Sequence, residues 1–553
     1  MDGTSGNLRH GGRILIDALA ARGVRRVFSV PGESFLAALD ALHDSGIQNV
    51  VARHEGGAAM MAEAHGKLTG TPGIALVTRG PGATNAAAGV HVARQDSTPM
   101  ILLIGQIARG HRDREAFQEV DMRALFGPLA KWAAEIDDTA RIPEYLARAW
   151  DVALSGRPGP VVLSLPEDML SARAHAEDIA PSAPPVAPGL APAADAVLAA
   201  LAGMARPLVV AGGPLWSQAA ADDLAAFAAA QGVPVAVAFR RQGHMDNRHP
   251  NYAGDLSAGM DPALAARLRA ADGLVLLGTR FGDIATGDYA HVDPAAPGKA
   301  IVHVHPDPDE LGRVWPAEVR VCAHAPALLA ELARRPAGAP RDPAWMEAIR
   351  AERAAWTAPR ETPGAVKLER VVAWLDANLP DDAILTNGAG NYAVWLHRYY
   401  RFRRFGTQLA PTSGSMGYGF PAAIAASLEH PGRAVVCLAG DGCFQMTLNE
   451  MSTAIQHGAA PIVLVCNNGR YGTIRMHQER TYPGRTSGTD LASPDFAALA
   501  RAYGAFGERV ERGEDFEAAF ERARSSSLPA VIDLILDPEA LTPGRTLSEV
   551  RGG

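Results

Sequence analysis

The sequence predicts an α/β protein built as three doubly wound parallel-sheet domains. Short β-branched runs alternate with amphipathic helical stretches along the chain, the pattern of parallel sheets covered on both faces. Two Pro/Ala-rich stretches interrupt it: Ala180 to Pro192 (APSAPPVAPGLAP) and Arg334 to Pro343 (RRPAGAPRDP) are too poor in periodic apolar positions to fold. A length of 553 residues exceeds what one core serves and points to about three domains. The predicted blocks are 8–179, 191–334 and 364–540, with linkers at 180–190 and 335–363 and a tail at 541–553.

In the first block the strand runs are VRRVFSV, NVVARH, GIALVTRG and PMILLIGQ; in the second they are RPLVVAGG, VPVAVAF, GLVLLGTR and KAIVHVHP. The third has AILTNGAG, AVVCLAGDG, PIVLVCNN and AVIDLIL. Hydrophobic residues make up 48% and charged residues 20%, a balance that fills ordinary globular cores. A formal charge of −8 gives no electrostatic ground for a nucleic-acid partner. The short cluster Arg401, Arg403 and Arg404 reads as a solvated or subunit-contacting face.

Cys322, Cys437, Cys443 and Cys466 form no CxxC pair and no zinc spacing. Cys437 and Cys466 stand in apolar runs as buried thiols, a usage that fits a reducing cytoplasm. The start, MDGTSGNLRHGG, lacks the apolar stretch of a signal peptide, and no run reaches membrane-spanning length. The expectation is a soluble cytoplasmic protein with no membrane partner.

The most informative segment is Gly440-Asp441-Gly442, followed by 24 residues and then Asn467-Asn468. AVVCLA precedes the first and PIVLVC the second. Between them TLNEMSTAIQHG has helical apolar spacing at Leu448, Met451 and Ile455, and Thr447 with Glu450 spells a capping box. In a strand–helix–strand unit the two strands run parallel and end at one edge. Asp441 and Asn468 therefore meet at the carboxyl ends of strands, where open α/β sheets bind ligands. A carboxylate and an amide oxygen are hard ligands suited to Mg²⁺ holding a diphosphate. Gly440 and Gly442 let the backbone approach phosphate oxygens, and the following helix offers its amides. For a lone GDG, a mere turn is the better reading; the paired spacing overturns it.

The stretch GDGCFQMTLNEMSTAIQHGAAPIVLVCNNGRYG closely resembles the diphosphate-binding motif of thiamine diphosphate-dependent enzymes. The resemblance implies that Asp441, the Asn468 side chain and the Arg470 carbonyl bind Mg²⁺. It places Cys443, Tyr471 and Gly472 along the diphosphate. Cys443 stands where the family usually has Ser, and a thiol is a weaker donor. The first block carries NVVARHEGGAAMMAEAHGKLTG, with the family's R-H-E-G-G-A-A-x-M-A-x-A-x-G pattern intact. By that resemblance Glu55 hydrogen-bonds the aminopyrimidine of the cofactor and favours the form that takes the thiazolium proton. Thr78, Gly80 and Asn85 in VTRGPGATNAAAGV would border the pyrimidine, and Gly414 and Met416 in TSGSMGYGFPAAIAAS would bend the cofactor. The first and third blocks then become pyrimidine-binding and diphosphate-binding domains about a central one. In this family the glutamate and the Mg²⁺ site serving one cofactor come from different subunits, which implies a homodimer at least and a homotetramer commonly.

The resemblance covers nearly the whole chain and is closest to acetolactate synthase large (catalytic) subunits. VPGESFLAALDAL, DSTPMILLIGQ, EAFQEVD and SGRPGPVVLSLPEDM carry it. It implies decarboxylation of a 2-oxo acid and carboligation, two pyruvate giving 2-acetolactate and CO₂. Phe117 and Gln118 match residues lining the reacting side. The segment LGTRFGDIATG is similar to the Arg-Phe-Asp-Asp-Arg stretch that touches FAD, so FAD is a further expected cofactor with only part of its motif present. A regulatory subunit is a further expected partner. Asp96-Ser97-Thr98 in place of a His-His pair argues against a pyruvate decarboxylase-like member. Three positions depart from synthases: His477 for Trp, Glu167 for Lys and Ile284 for the second Arg. Two of the three lose a cation, which weakens the case for an anionic acceptor. The alternative is a thiamine diphosphate-dependent decarboxylase or lyase acting on another 2-oxo acid or a hydroxyketone, with His477 as an acid/base.

Overall fold

The computed structural model describes residues 8–182 and 189–552. Most of the predicted 180–190 linker lies outside the described residues. The chain divides into two compact units. The first comprises Met1–Pro185, Ile424–Glu429 and Thr447–Ala459, and the second Val186–Ala423, His430–Met446 and Ala460–Gly553.

The first unit has strands β1 (Leu8–His10), β2 (Arg26–Ser29), β3 (Gln48–Val51), β4 (Gly73–Val77), β5 (Met100–Gln106), β6 (Trp132–Glu135), β7 (Pro160–Pro166) and β8 (Arg173–His175). Six form a parallel sheet in the order β3-β2-β4-β5-β7-β6, while β1 and β8 pair antiparallel. On one face Ile14, Leu15 and Leu19 of the helix Gly11–Ala21 pack with Leu146 and Ile142 over Ile101, Leu103 and Leu163. The helices Glu55–Thr69 and Pro81–Asp96 pack against each other through small residues: a Cβ added at Gly89 would lie 2.4 Å from the Ala59 Cβ. That close approach explains the runs of Gly and Ala in both segments.

The second unit holds two further six-stranded parallel sheets. Strands β9 (Pro207–Ala211), β10 (Val235–Ala238), β11 (Tyr252–Leu256), β12 (Gly273–Leu277), β13 (Ala300–His305) and β14 (Val319–Cys322) run in the order β11-β10-β9-β12-β13-β14. Strands β15 (Ile384–Asn387), β16 (Gln408–Leu409), β17 (Val435–Gly440), β18 (Ile462–Asn467), β19 (Phe506–Val510) and β20 (Ala530–Ile535) run in the order β16-β15-β17-β18-β20-β19. Gln242 stitches the two sheets together: its Nε2 donates to the His397 carbonyl at 2.7 Å, and its Oε1 accepts from Gln408 at 3.0 Å.

The α/β class with three parallel sheets is as expected. Each sheet also has two strands outside the quoted strand runs. Five of these six, β6, β11, β14, β16 and β19, are edge strands of two to five residues, too short for a clear period to show. The capping box is corrected. Leu448–Glu450 is a 3₁₀ turn leading into the helix Met451–His457, and Thr447 makes no capping hydrogen bond. The Glu450 carboxylate instead accepts from the Arg53 amide and the Thr453 hydroxyl, because a buried amide donor from a distant strand end competes better than a solvated helix start. All four cysteines are free thiols, buried at Cys437, Cys443 and Cys466 and exposed at Cys322. Among the described residues no helix is long and apolar enough to cross a membrane. Residues past Leu541 fold back: Leu541, Leu547 and Val550 form a small apolar cluster against Met476, and Arg551 pairs with Glu479 at 2.6 Å.

Candidate functional site

In the second unit β17 and β18 pair in parallel register from Val436↔Ile462 to Gly440↔Cys466, so their carboxyl ends coincide. Asp441 opens the short helix Asp441–Gln445 directly after β17. After β18 the chain turns through Asn468 and Gly469, the latter at φ +66°, into the helix Gly472–Thr481. An antiparallel bridge pins this turn: the Tyr471 amide donates to the Thr489 carbonyl at 2.8 Å and the Leu491 amide to the Gly469 carbonyl at 2.8 Å.

Asp441 is 2% exposed. Its Oδ1 accepts from the Gly442 amide at 2.9 Å, and its Oδ2 from the Gly469 amide at 2.9 Å and the Ser493 hydroxyl at 3.1 Å. Burial pushes the carboxyl pKa up, and these neutral donors pull it partly back. Among the described residues no cationic side chain pairs with it. A buried carboxylate is costly unless a cation answers it. Asn468 and Arg470 line the same cavity as Asp441, and an amide oxygen, a carbonyl and a carboxylate are hard oxygens of the type that suits a divalent ion. Among the described residues no cluster of three or more His, Cys, Asp or Glu offers a softer site.

A cavity of about 250 Å³ opens beside these groups. All ten positions named from sequence as cofactor-binding between Gly414 and Gly472 line it. The glycines are required: a Cβ on Gly442 would lie 2.4 Å from the Tyr471 ring, and one on Gly388 would lie 2.4 Å from the Cys443 Sγ. That Sγ accepts from the Gly417 amide at 3.2 Å and contacts the Tyr392 hydroxyl at 3.3 Å, so the thiol is held into the wall. The sequence reading missed Gly390, Asn391, Tyr392, Thr473 and Leu541, which also line the cavity. The run NGAGN closing β15 was the available signal for the first three, since β15 pairs with β17 and ends at the same edge. His477 is exposed on the Gly472–Thr481 helix and lies outside the cavity lining. The buried side chains there are Arg475 and Glu479, each two residues away and so on the opposite face.

In the first unit Glu55 opens the helix Glu55–Thr69 behind His54, whose Nδ1 accepts from the Gly56 amide at 3.0 Å. Asn85 Nδ2 donates to Glu55 Oε2 at 2.9 Å. A Cβ on Gly82 would lie 3.2 Å from Glu55 Oε1 and 2.9 Å from Thr78 Cγ2, so Thr78, Gly82, Asn85 and Glu55 converge. Gly80, at φ +52°, lies against Gln118, whose carbonyl would be 2.8 Å from a Cβ there. Asp113, Glu115 and Gln118 all have positive φ, and Glu119 holds the loop by accepting from the Asp113 and Ala116 amides at 2.8 Å each. Non-glycine residues in this region store strain that functional loops keep. Phe117 projects from the loop, 74% exposed.

Beneath it stands Arg79, which the sequence reading did not single out. Only 7% exposed, it reaches the Phe117 carbonyl at 3.4 Å, Glu33 at 3.1 Å and Glu167 at 3.6 Å. The position that departs from synthases as Glu167 thus pairs with a cation of this chain.

Parallel α/β sheets with an oxygen-lined pocket at coincident strand ends form an arrangement that suits a phosphate-bearing ligand. Residues 9–125, 194–332 and 388–534 match the N-terminal TPP binding, central and C-terminal TPP binding domains of thiamine pyrophosphate enzymes, and the chain belongs to that family of cofactor-dependent enzymes. Among its relatives, the acetolactate synthase large subunit of Corynebacterium glutamicum is 32% identical, over 96% of this chain and 87% of that protein. The acetolactate synthase isozyme 2 large subunit of Escherichia coli K12 is 30% identical, over 98% of this chain and 99% of that protein. The acetolactate synthase of Mycobacterium bovis is 32% identical, over 96% and 88% respectively.

Proposed function

We propose that this chain decarboxylates a 2-oxo acid and joins the remaining fragment to a second carbonyl, as an acetolactate synthase does with two pyruvate molecules. The supporting observation is the buried Asp441, which has no cationic partner among the described residues and lines a cavity together with Asn468, Arg470 and Gly472. End-to-end likeness to proteins named acetolactate synthase supports the particular reaction.

Asp441, Asn468 Oδ1 and the Arg470 carbonyl would hold Mg²⁺, which neutralises the carboxylate together with the diphosphate. Amides around Gly440, Gly442, Cys443, Tyr471 and Gly472 would meet phosphate oxygens, and Gly414 and Met416 would shape the bend. When bound, thiamine diphosphate supplies the electron sink that lets CO₂ leave a 2-oxo acid. Glu55 would hold a proton on Oε1 facing the pyrimidine, while Asn85 fixes Oε2 and Thr78 and Gly80 border the ring. Gln118 would hydrogen-bond the reacting group, and Phe117 would exclude water above it.

Further parts of the proposal are a homodimer or homotetramer in which two copies complete each site, a small regulatory subunit, as the large-subunit relatives' names suggest, and a cytoplasmic setting supported by four free thiols. FAD would contact Arg280 to Ile284 of the central sheet's loops. Purified protein supplied with Mg²⁺ and thiamine diphosphate and offered a panel of 2-oxo acids tests the reading. A 2-hydroxy-3-oxo acid from pyruvate is expected, aldehyde release without carboligation would move the assignment to a decarboxylase or lyase, and absence of both would refute it. A flavin absorption spectrum decides FAD.

A further inference from the structure

Glu450 was read as a capping residue and has no place in the chemistry above, yet its side chain is fully buried. Its two oxygens accept from the Arg53 amide at 3.2 and 3.1 Å, and Oε2 also accepts from the Thr453 hydroxyl at 2.6 Å. A Cβ on Gly57 would lie 2.4 Å from Glu450 Oε1, so the carboxylate is seated under the first turn of the Glu55 helix. Further along the same short helix, Ser452 accepts from Arg53 Nε at 3.2 Å and Gln456 from Arg53 Nη2 at 2.5 Å. The Thr453 hydroxyl, its single proton on Glu450, lies 3.3 Å from the Val51 carbonyl, and His457 Nε2 accepts from the Val51 amide at 2.9 Å. Positions 450, 453 and 457 share one helical face, and that face grips Val51 to Arg53, the three residues that lead to Glu55.

These bonds fix what a strand end otherwise leaves loose. β3 stops at Val51 and the helix starts at Glu55; the Ala52 amide still bonds the Ser29 carbonyl of β2 at 2.8 Å, and one residue further the Arg53 amide finds Glu450 instead of a strand partner. Carboxylate–amide bonds are charge-assisted and short-ranged, and a buried amide left without its acceptor draws in water or rotates away. Burial pushes the Glu450 pKa up, and the Thr453, Arg53 and His54 donors hold it down.

We infer that Glu450 is a positioning residue for Glu55: its buried carboxylate anchors the Arg53 amide and seats Gly57, fixing where the Glu55 carboxyl points. The inference rests on the reading that Glu55 acts on the bound cofactor. Glu450 itself touches neither cofactor nor substrate in this account.

The test measures hydrogen–deuterium exchange at C2 of bound thiamine diphosphate by acid quench and proton NMR, as a rate constant per bound cofactor. A residue that merely holds the fold changes how many sites bind and leaves the per-site rate alone. Glu55→Gln is expected to slow exchange more than a hundredfold, Glu450→Ala at least tenfold and Glu450→Gln by an intermediate factor, since an amide keeps one acceptor for the Arg53 N–H. Cofactor affinity, read by titration without substrate, should change much less than the exchange rate. Folded Glu450→Ala exchanging within threefold of the parent overturns the inference. If Glu450→Ala does not accumulate as folded protein, Glu450→Gln decides by the same threefold limit. Parent-like exchange in Glu55→Gln would sink the underlying reading instead, so the two failures are distinguishable.

Discussion

Asp533 is fully buried on β20, with Oδ1 accepting from Asn467 Nδ2 at 3.0 Å and Oδ2 without a hydrogen-bond partner among the described residues. Burial pushes its carboxyl up to about 6; Asn467 and Arg509 oppose that, while Asp495 and Asp441 add to it. In the unfolded chain the same group titrates near 3.9, roughly. Between these values the native state binds the extra proton, so stability falls as pH rises through the window and the full cost is present above about pH 6. At about 1.4 kcal/mol per pH unit, that cost approaches 3 kcal/mol. Asp533→Asn removes the charge and keeps the oxygen that Asn467 needs. The apo protein, with chelator present, should then gain up to ~3 kcal/mol at pH 8, or roughly 6–12 °C in the transition that includes this sheet, and only about 0.5 kcal/mol at pH 4. Thermal unfolding of both proteins at the two pH values measures it. Equal gains at both pH values, or a loss at pH 8, would refute the assignment of the cost to a buried charge.

Three further outcomes are expected. Gly442→Ala drives a methyl into the Tyr471 ring; forced overpacking costs about 1–3 kcal/mol, so thiamine diphosphate affinity by calorimetry should fall between about fivefold and a hundredfold, with the fold retained by circular dichroism. Arg79→Met leaves Glu33 and Glu167 without their shared cation and frees the Phe117–Gln118 loop; kcat/KM for the 2-oxo acid should drop about tenfold, a loss of ~1.4 kcal/mol, and unchanged kinetics would show that the loop holds itself. Mixing inactive Glu55→Gln and Asp441→Asn proteins under conditions of subunit exchange should restore about a quarter of the parent activity if each site draws on two copies, because half the random dimers carry one intact site. No recovery despite exchange, checked by tagged-subunit pull-down, contradicts shared sites.

Much of the site was legible because its parts sit where short-range rules put them. Asp441 and Asn468 follow strands with a helix between, and a parallel pair must end at one edge. Gly442 is required by the approach of Tyr471, a residue of the same motif. Asn391 and Tyr392 were readable in principle from the glycine-rich end of β15, yet their run lacks a charged ligand to draw notice. Arg79 and Glu450 were not readable. Arg79 finds Glu167 88 positions away, and Glu450 finds Arg53 397 positions away, beyond the reach of any hydropathy period.

The residue pattern alone determined the α/β class, the repeated strand-end loops and which oxygen-bearing residues stand at the ends of β17 and β18, since these depend on periodicity and spacing within about thirty residues. Folding decided which edge strands complete each sheet, which face of the 472–481 helix His477 occupies, and which acid pairs with which base. Those choices turn on hydrogen bonds and burial between segments from tens to hundreds of residues apart. Desolvation makes such partners matter, and it exists only once the chain has packed.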